Sequence, residues 1–186
     1  TMNALDRNSV AVLTMAAGNQ YEECGGLLSI ASFTTIPGSL VVGAVDRQGR
    51  PQPYSARGPG MCSPPLGPTV SAPTFGVLPW GDGWRDFGGL GAGTSSSTAL
   101  VSAVAALVKS AAPKASSLRV RTAMALSAQR GLLPYSEASG FGVVQAARAL
   151  DALAGASLHP LYGVFWAMSA PKPVFRELAH QQEYVT

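Results

Sequence analysis

At 186 residues and 47% hydrophobic content the chain is long enough to bury one core, and its length suggests a single domain. Charged residues make up 12% against 21 glycines and 14 prolines, which excludes a highly charged disordered segment and fits a loop-rich, tightly packed domain. The net charge of +3 sets 13 basic residues against 10 acidic ones, and the basic residues are scattered with no Lys/Arg run, so nucleic-acid binding has no support; the apolar run from Ala103 to Val108 stops at Lys109, short of the about 18 residues a membrane span requires.

In chain order, Thr1 to Ser9 carries Asp6 and Arg7 and lacks the apolar core of a signal peptide, and Met2 to Asn8 reads as the last turns of a helix. Ser9 to Ala16 is β-rich without clean alternation, which suits a buried strand of a parallel sheet. The strand stops at Ala17-Gly18-Asn19, where Gly18 permits a sharp turn at the carboxyl end, the place where ligand and catalytic groups gather in open α/β sheets. Taken alone, Asn19 is a turn residue. Gln20 to Pro37 reads as a loop with a short strand at Leu27 to Ile30. Its adjacent carboxylates Glu22 and Glu23 offer calcium-type ligands, but neighbouring carboxylates on a loop are usually solvated, and no motif calls for a cofactor.

Cys24 and Cys62 are too few for a disulfide scaffold and wrongly spaced for zinc; they either pair in an oxidising compartment or stay as free thiols. Ser39 to Asp46 is a second buried strand, with Asp46 capping the turn from Arg47 to Arg50. Gly60 to Ala92 is rich in proline and glycine and poor in regular pattern, apart from a short strand at Thr69 to Pro73. Its Trp80 and Trp84 either contact a ligand or fold back on the core.

Gly93-Thr94-Ser95 lies at a loop-to-helix boundary, followed by small and apolar residues through Leu107 that pass into a packed interior. Ser95 there has two readings. It is an N-cap, or it is a nucleophile beside the unpaired amides and positive dipole end of the helix, which favour developing negative charge. Pro113 closes the segment, and Ser117 to Gln129 forms an amphipathic helix burying Leu118, Val120, Ala123, Met124 and Leu126. Gly140-Phe141-Gly142 is a tight loop into a third helix ending near Leu153, since a nucleotide-binding Gly-x-Gly would need a strand before it. The tail holds an aromatic-rich strand candidate, Leu161 to Met168.

The order Gly93-Thr94-Ser95, small residues, then Val-x-Ala-x-Ala-Ala-Leu resembles the nucleophile motif of the subtilisin-like serine proteases, the subtilases. Val12 to Asn19, ending Ala-Ala-Gly-Asn, resembles the segment whose asparagine amide serves that family's oxyanion. The Val-Gly-Ala strand leading to Tyr54-Ser55-Ala56-Arg57-Gly58, and the Ala-Pro of 72–73, resemble two further family segments. The resemblance implies a subtilisin-like three-layer α/β fold with a mostly parallel central sheet. It implies Ser95 as nucleophile and Asn19 as oxyanion donor, joined by the Ser95 backbone N–H. Ala16, Ala17 and Gly18 become a wall of the pocket for the substrate side chain, with Gly93 and Thr94 also at the substrate. One departure is Ala99, where the family usually has proline.

Ser-His-Asp chemistry also needs a histidine and a carboxylate. His159 and His180 both follow the serine, whereas in subtilases the aspartate and histidine precede it, so both read as tail residues. An α/β-hydrolase places its histidine last but wants Gly-x-Ser-x-Gly, and Gly93-Thr94-Ser95-Ser96-Ser97 lacks the second glycine. The expectation is therefore the C-terminal half of a subtilase catalytic domain over residues 1–153, with a C-terminal extension over 154–186. The Asp and His would come from a separate chain or an N-terminal segment, the substrate would be a protein or peptide, and the location secreted or cell-envelope. The competing expectation is a non-catalytic remnant of the fold serving as a binding module.

Overall fold

In the computed structural model, residues 11–23, 29–30, 38–58, 67–74, 77–80, 83–86, 93–129 and 135–154 are described. The expected helix at Met2 to Asn8, both cysteines, both histidines and the tail from 155 lie outside them, as does the first half of the strand expected at Leu27 to Ile30, whose described residues Ser29 and Ile30 are not in a strand.

The run Leu40-Val41-Val42-Gly43-Ala44-Val45 has no polar side chain, and all six residues are buried. Such a run fits only a strand paired on both edges and covered on both faces. It is the middle strand, β2 (Leu40–Val45), of a parallel sheet with β1 (Thr14–Ala16) on one side and β3 (Val70–Pro73) on the other. The register pairs Thr14 with Leu40, and Val42 with Val70. Residues 141–144 continue beside β3, with Phe141 N–H donating to Thr69 O (2.9 Å) and Ser71 N–H to Gly142 O (2.8 Å).

Alternation along β2 divides the core. Leu40 and Val42 join Val70, Ala72 and the helices, while Val41 faces a smaller cluster of Ala17, Ile30 and Ala56. Helix α1 (Thr94–Ala111) lies against all three strands, and α2 (Ser117–Leu126) and α3 (Ala146–Ala154) pack on each other and on α1. The buried positions of α1, Thr94, Ser97, Val101, Ala105 and Val108, are spaced as one helical stripe of small residues, which lets the helix lie close to the sheet. Each fully buried Val or Leu here contributes about 1.5–3 kcal/mol.

Four sequence expectations change. The first strand is only three residues long and half-buried. The second helix ends at Leu126, and Gln129 instead exchanges backbone hydrogen bonds with Val143 (2.7 and 2.9 Å). That helix is not amphipathic: Arg121 (1% exposed) and Thr122 (0%) are as buried as Val120 and Met124, because α1 and α3 pack around it. A two-stranded antiparallel hairpin, β4 (Val77–Trp80) and β5 (Gly83–Asp86), occupies the stretch that showed no pattern. Only its backbone is described, so the roles considered for the Trp80 and Trp84 side chains lie outside the described residues.

Of the residues expected to be buried in α2, Val120, Ala123 and Met124 are, whereas Leu118 and Leu126 are only half-buried. Two turn expectations agree with the structure. Asp46 Oδ1 accepts from the N–H of Gln48 (2.8 Å) and Arg50 (2.9 Å), and Arg50 Nε donates to Oδ2 (2.6 Å). Gly140-Phe141-Gly142 is a tight loop: Gly140 has φ +65°, and a Cβ there would strike the carbonyls of Pro68 and Thr69, so any other residue would force the backbone to shift.

Candidate active site

Parallel strands deliver their carboxyl ends to one edge of the sheet, and α1 begins at that edge. After β1, Ala17 N–H still donates to Val42 O (2.9 Å). Gly18, with φ +115°, then turns the chain and leaves the Asn19 side chain exposed. The carbonyl of Gly18 accepts from Ala56 N–H (2.9 Å), which holds the turn against the segment after β2. Thr74 stands at the end of β3.

Seventy-five residues separate Asn19 from Thr94, yet the fold joins them. Thr94 N–H donates to Asn19 Oδ1 (2.9 Å), the Thr94 hydroxyl donates to the same oxygen (3.0 Å), and Gly18 N–H donates to Thr94 Oγ1 (3.2 Å). Two donors on one side of the amide require the oxygen there, so the amide's orientation follows from its partners. Nδ2 is turned towards Gly93, 3.2 Å from where a Cβ on that residue would stand. A larger residue at 93 would press on this NH₂, which gives the glycine a local reason beyond turning the chain.

Gly93 is the N-cap of α1, in extended conformation and without a side-chain cap bond. Ser95 is therefore the second helical residue, and its hydroxyl is not the cap. It is exposed and, among the described residues, its Oγ has no hydrogen-bond partner. Its backbone N–H belongs to the first turn, where no intrahelical acceptor exists. Ser95 Oγ, Ser95 N–H and Asn19 Nδ2 thus lie about one helix N-terminus: a hydroxyl beside two donor groups, where the helix dipole favours negative charge. Ala16, Ala17 and Gly18 run into this place from β1, with Ala17 fully buried and Ala16 and Gly18 half-buried. Ala99 is exposed, so the absence of proline leaves no void.

Asp46 is also at this edge, but Arg50 holds its carboxylate in the turn and it orients no base. Partial desolvation opposes ionisation of Asp46, and the hydrogen bonds from Arg50 and Gln48 with the Arg50 charge overcome it, keeping the carboxyl below its ordinary value. Glu22 and Glu23 are exposed, and among the described residues no three His, Cys, Asp or Glu side chains gather as metal ligands. The groove lined by Ala112, Pro113, Lys114, Ala115, Arg119 and Leu153 lies at the other end of α1, roughly 27 Å away at the helical rise. There Arg119 is engaged by Leu153 O (3.0 Å) and Lys109 by Ala115 O. Sequence reasoning missed Thr74 and Tyr54, whose hydroxyls meet behind Gly93.

The sequence pattern of the subtilase family matches residues 1–156. The chain belongs to the subtilase family. Among solved structures it resembles the prenylagaramide maturation protease PagA, with 26% identity and TM-score 0.60 over 82% of this chain and 54% of that one. It also resembles the self-cleaved protease domain of PatA, with 28% identity and TM-score 0.60 over 82% and 54%. A third match is a chain of the periplasmic assembly from the ESX-5 inner membrane complex, with 26% identity and TM-score 0.58 over 80% and 42%. This subtilase chain spans about half the length of the structures it matches. No curated protein matches it.

Proposed function

We propose that this chain supplies the nucleophile and oxyanion half of a serine endopeptidase. The observation that carries the reading is the pair of hydrogen bonds from Thr94 to Asn19 Oδ1, which turns the Asn19 amide donor towards the head of the helix that bears Ser95. Ser95 Oγ attacks the scissile carbonyl as a histidine removes its proton, and the carbonyl oxygen, now negative, accepts from Asn19 Nδ2 and Ser95 N–H. The intermediate collapses to an acyl-enzyme on Ser95 as the histidine protonates the leaving amine. Water, deprotonated by the same histidine, then releases the acid. Ala16, Ala17, Gly18, Gly93 and Thr94 border the substrate.

The histidine and its aspartate come from a separate chain or an N-terminal segment. Two features favour a covering part: β1 is a half-buried edge of the described sheet, and Leu13 (39% exposed), directly before it, presents apolar surface there. In this reading residues 1–153 form the C-terminal half of the catalytic domain and 154–186 an extension. A secreted or cell-envelope location draws support from the match to a periplasmic assembly. No helix among the described residues is long and apolar enough to cross a membrane.

A fluorophosphonate probe tests the proposal. Labelling at Ser95 is expected when the part carrying Asp and His is present and to vanish in Ser95→Ala. Absence of label in the assembled protein would leave a non-catalytic binding role.

A further inference from the structure

The helix that carries Ser95 starts at a glycine, the residue with the freest backbone, and that glycine has no cap from its own side chain or its neighbours. A residue from another element supplies one. Thr74 Oγ1 accepts from Gly93 N–H (2.9 Å) and donates to Gly93 O (3.1 Å), so one hydroxyl grips both peptide groups that flank the cap. The Tyr54 hydroxyl donates to the same oxygen (3.1 Å). A threonine hydroxyl has one donor and two acceptor sites, and these three bonds fill it.

Each member of this contact is itself held. Thr74 is 5% exposed, and its N–H donates to Val45 O (3.2 Å). Tyr54 O accepts from Tyr21 N–H (3.2 Å), and the adjoining Ser55 Oγ accepts from Ala44 N–H (3.0 Å). The Gly93 carbonyl held by Thr74 is also the acceptor for the first turn of α1, from Ser96 N–H (3.1 Å) and Ser97 N–H (3.4 Å). Rotation of the Gly93 peptide would therefore swing Thr94 N–H off Asn19 and re-aim Ser95 N–H together.

We propose that Thr74, with Tyr54 behind it, is a positioning pair that fixes the Gly93 peptide and through it the alignment of Ser95 and Asn19. The inference rests on the roles proposed above for those two residues. Neither hydroxyl touches the reacting atoms. Their effect is on geometry, and misplacement of reacting groups by about 1 Å costs on the order of 100-fold in rate.

The test uses the assembled protease and a fluorophosphonate probe, reading the rate constant and the final extent of Ser95 labelling separately. Misfolding lowers the extent; misalignment lowers the rate constant. Thr74→Val is expected to slow labelling by about 10- to 100-fold at unchanged extent, and Thr74→Ser, which keeps the hydroxyl, to stay within about threefold of wild type. Tyr54→Phe should slow it by about threefold to tenfold, and the double variant Thr74→Val/Tyr54→Phe should be no slower than Thr74→Val alone, because both act through one oxygen.

A wild-type rate constant in Thr74→Val, or a reduced extent with an unchanged rate constant, would overturn the positioning role while leaving Ser95 as nucleophile. If Thr74→Val yields no folded protein, Tyr54→Phe decides, and an unchanged rate constant there overturns the proposal. A wild-type assembly that takes no label at Ser95 overturns the Ser95 assignment and this inference with it.

Discussion

Substituting Asn19 separates what this side chain does for the fold from what it does for the reaction. Its Oδ1 holds two donors of Thr94, and its Nδ2 is the proposed oxyanion donor. Because Asn19 is exposed, water can replace the two bonds to Thr94 in Asn19→Leu, which limits the loss to about 1 kcal/mol per bond. The catalytic loss should be larger. Removal of such a donor in a subtilisin lowers kcat by roughly 10²- to 10³-fold, about 2.7–4 kcal/mol, and the same value is expected here. The bond strengthens only as charge builds on the carbonyl oxygen, so KM should change little. Asn19→Asp sharpens the comparison. It preserves an acceptor for Thr94 N–H and hydroxyl, so stability should stay near wild type, but it puts a second negative charge where the oxyanion forms and should reduce kcat at least as far as leucine does. Active-site titration combined with steady-state rates on the assembled enzyme gives kcat per competent site. An unchanged value in either variant refutes the assignment of Asn19 to the oxyanion.

Ser95→Ala should abolish turnover and labelling while shifting the unfolding free energy by no more than about 0.5 kcal/mol, since the hydroxyl is exposed and is not the helix cap; residual activity above a mock preparation would count against the nucleophile. Gly140→Ala should destabilise by about 1–3 kcal/mol or more, read as a lower urea midpoint, because it combines a positive φ with a Cβ driven into two backbone carbonyls; an unchanged midpoint would contradict the loop geometry. The Asp46 carboxyl is held below its ordinary value in the fold, so its contribution is fully present above the unfolded carboxylate value and is lost as pH falls through the lower folded one. Asp46→Asn should therefore flatten the stability-against-pH curve only below about pH 4, and superimposable curves for the two proteins would refute the turn's role.

The parts of the structure that the sequence revealed are those written in local pattern. Leu40–Val45 is apolar at every position, and only a buried strand accommodates that run. Gly18 and Gly140 marked turns because few other residues take their dihedral angles. The antiparallel pairing of 77–80 with 83–86 is not legible in the sequence, because Pro79 and the surrounding glycines mask any alternation of apolar and polar residues. The second helix was misread for a different reason: burial of Arg121 and Thr122 is imposed by α1 and α3 from outside the segment, and no periodicity within ten residues encodes it. The meeting of Tyr54, Thr74 and Gly93 was likewise invisible, since it joins positions about twenty residues apart through one oxygen.

Helix α1 also links the chemistry proposed here to the surface proposed for a covering part. Its buried stripe begins at Thr94, so Ser95, about 100° further round, falls outside it and heads a second stripe with Ala99, Ser102 and Ala106. These four residues are exposed and uncharged. β1 borders that stripe, since the Thr14 and Ser102 hydroxyls hydrogen-bond at 2.7 Å. Another strand added beside β1 would extend the sheet beneath these small residues, and a side chain at its carboxyl end would approach Ser95 from the open side, opposite the Thr94–Asn19 contact. A bulky or charged residue at 99 or 102 would keep such a strand and its helices away, whereas alanine and serine admit a close approach. The exposure of Ser95 and its place on this small-residue face therefore have one geometric cause, the single-residue offset between Ser95 and the buried stripe.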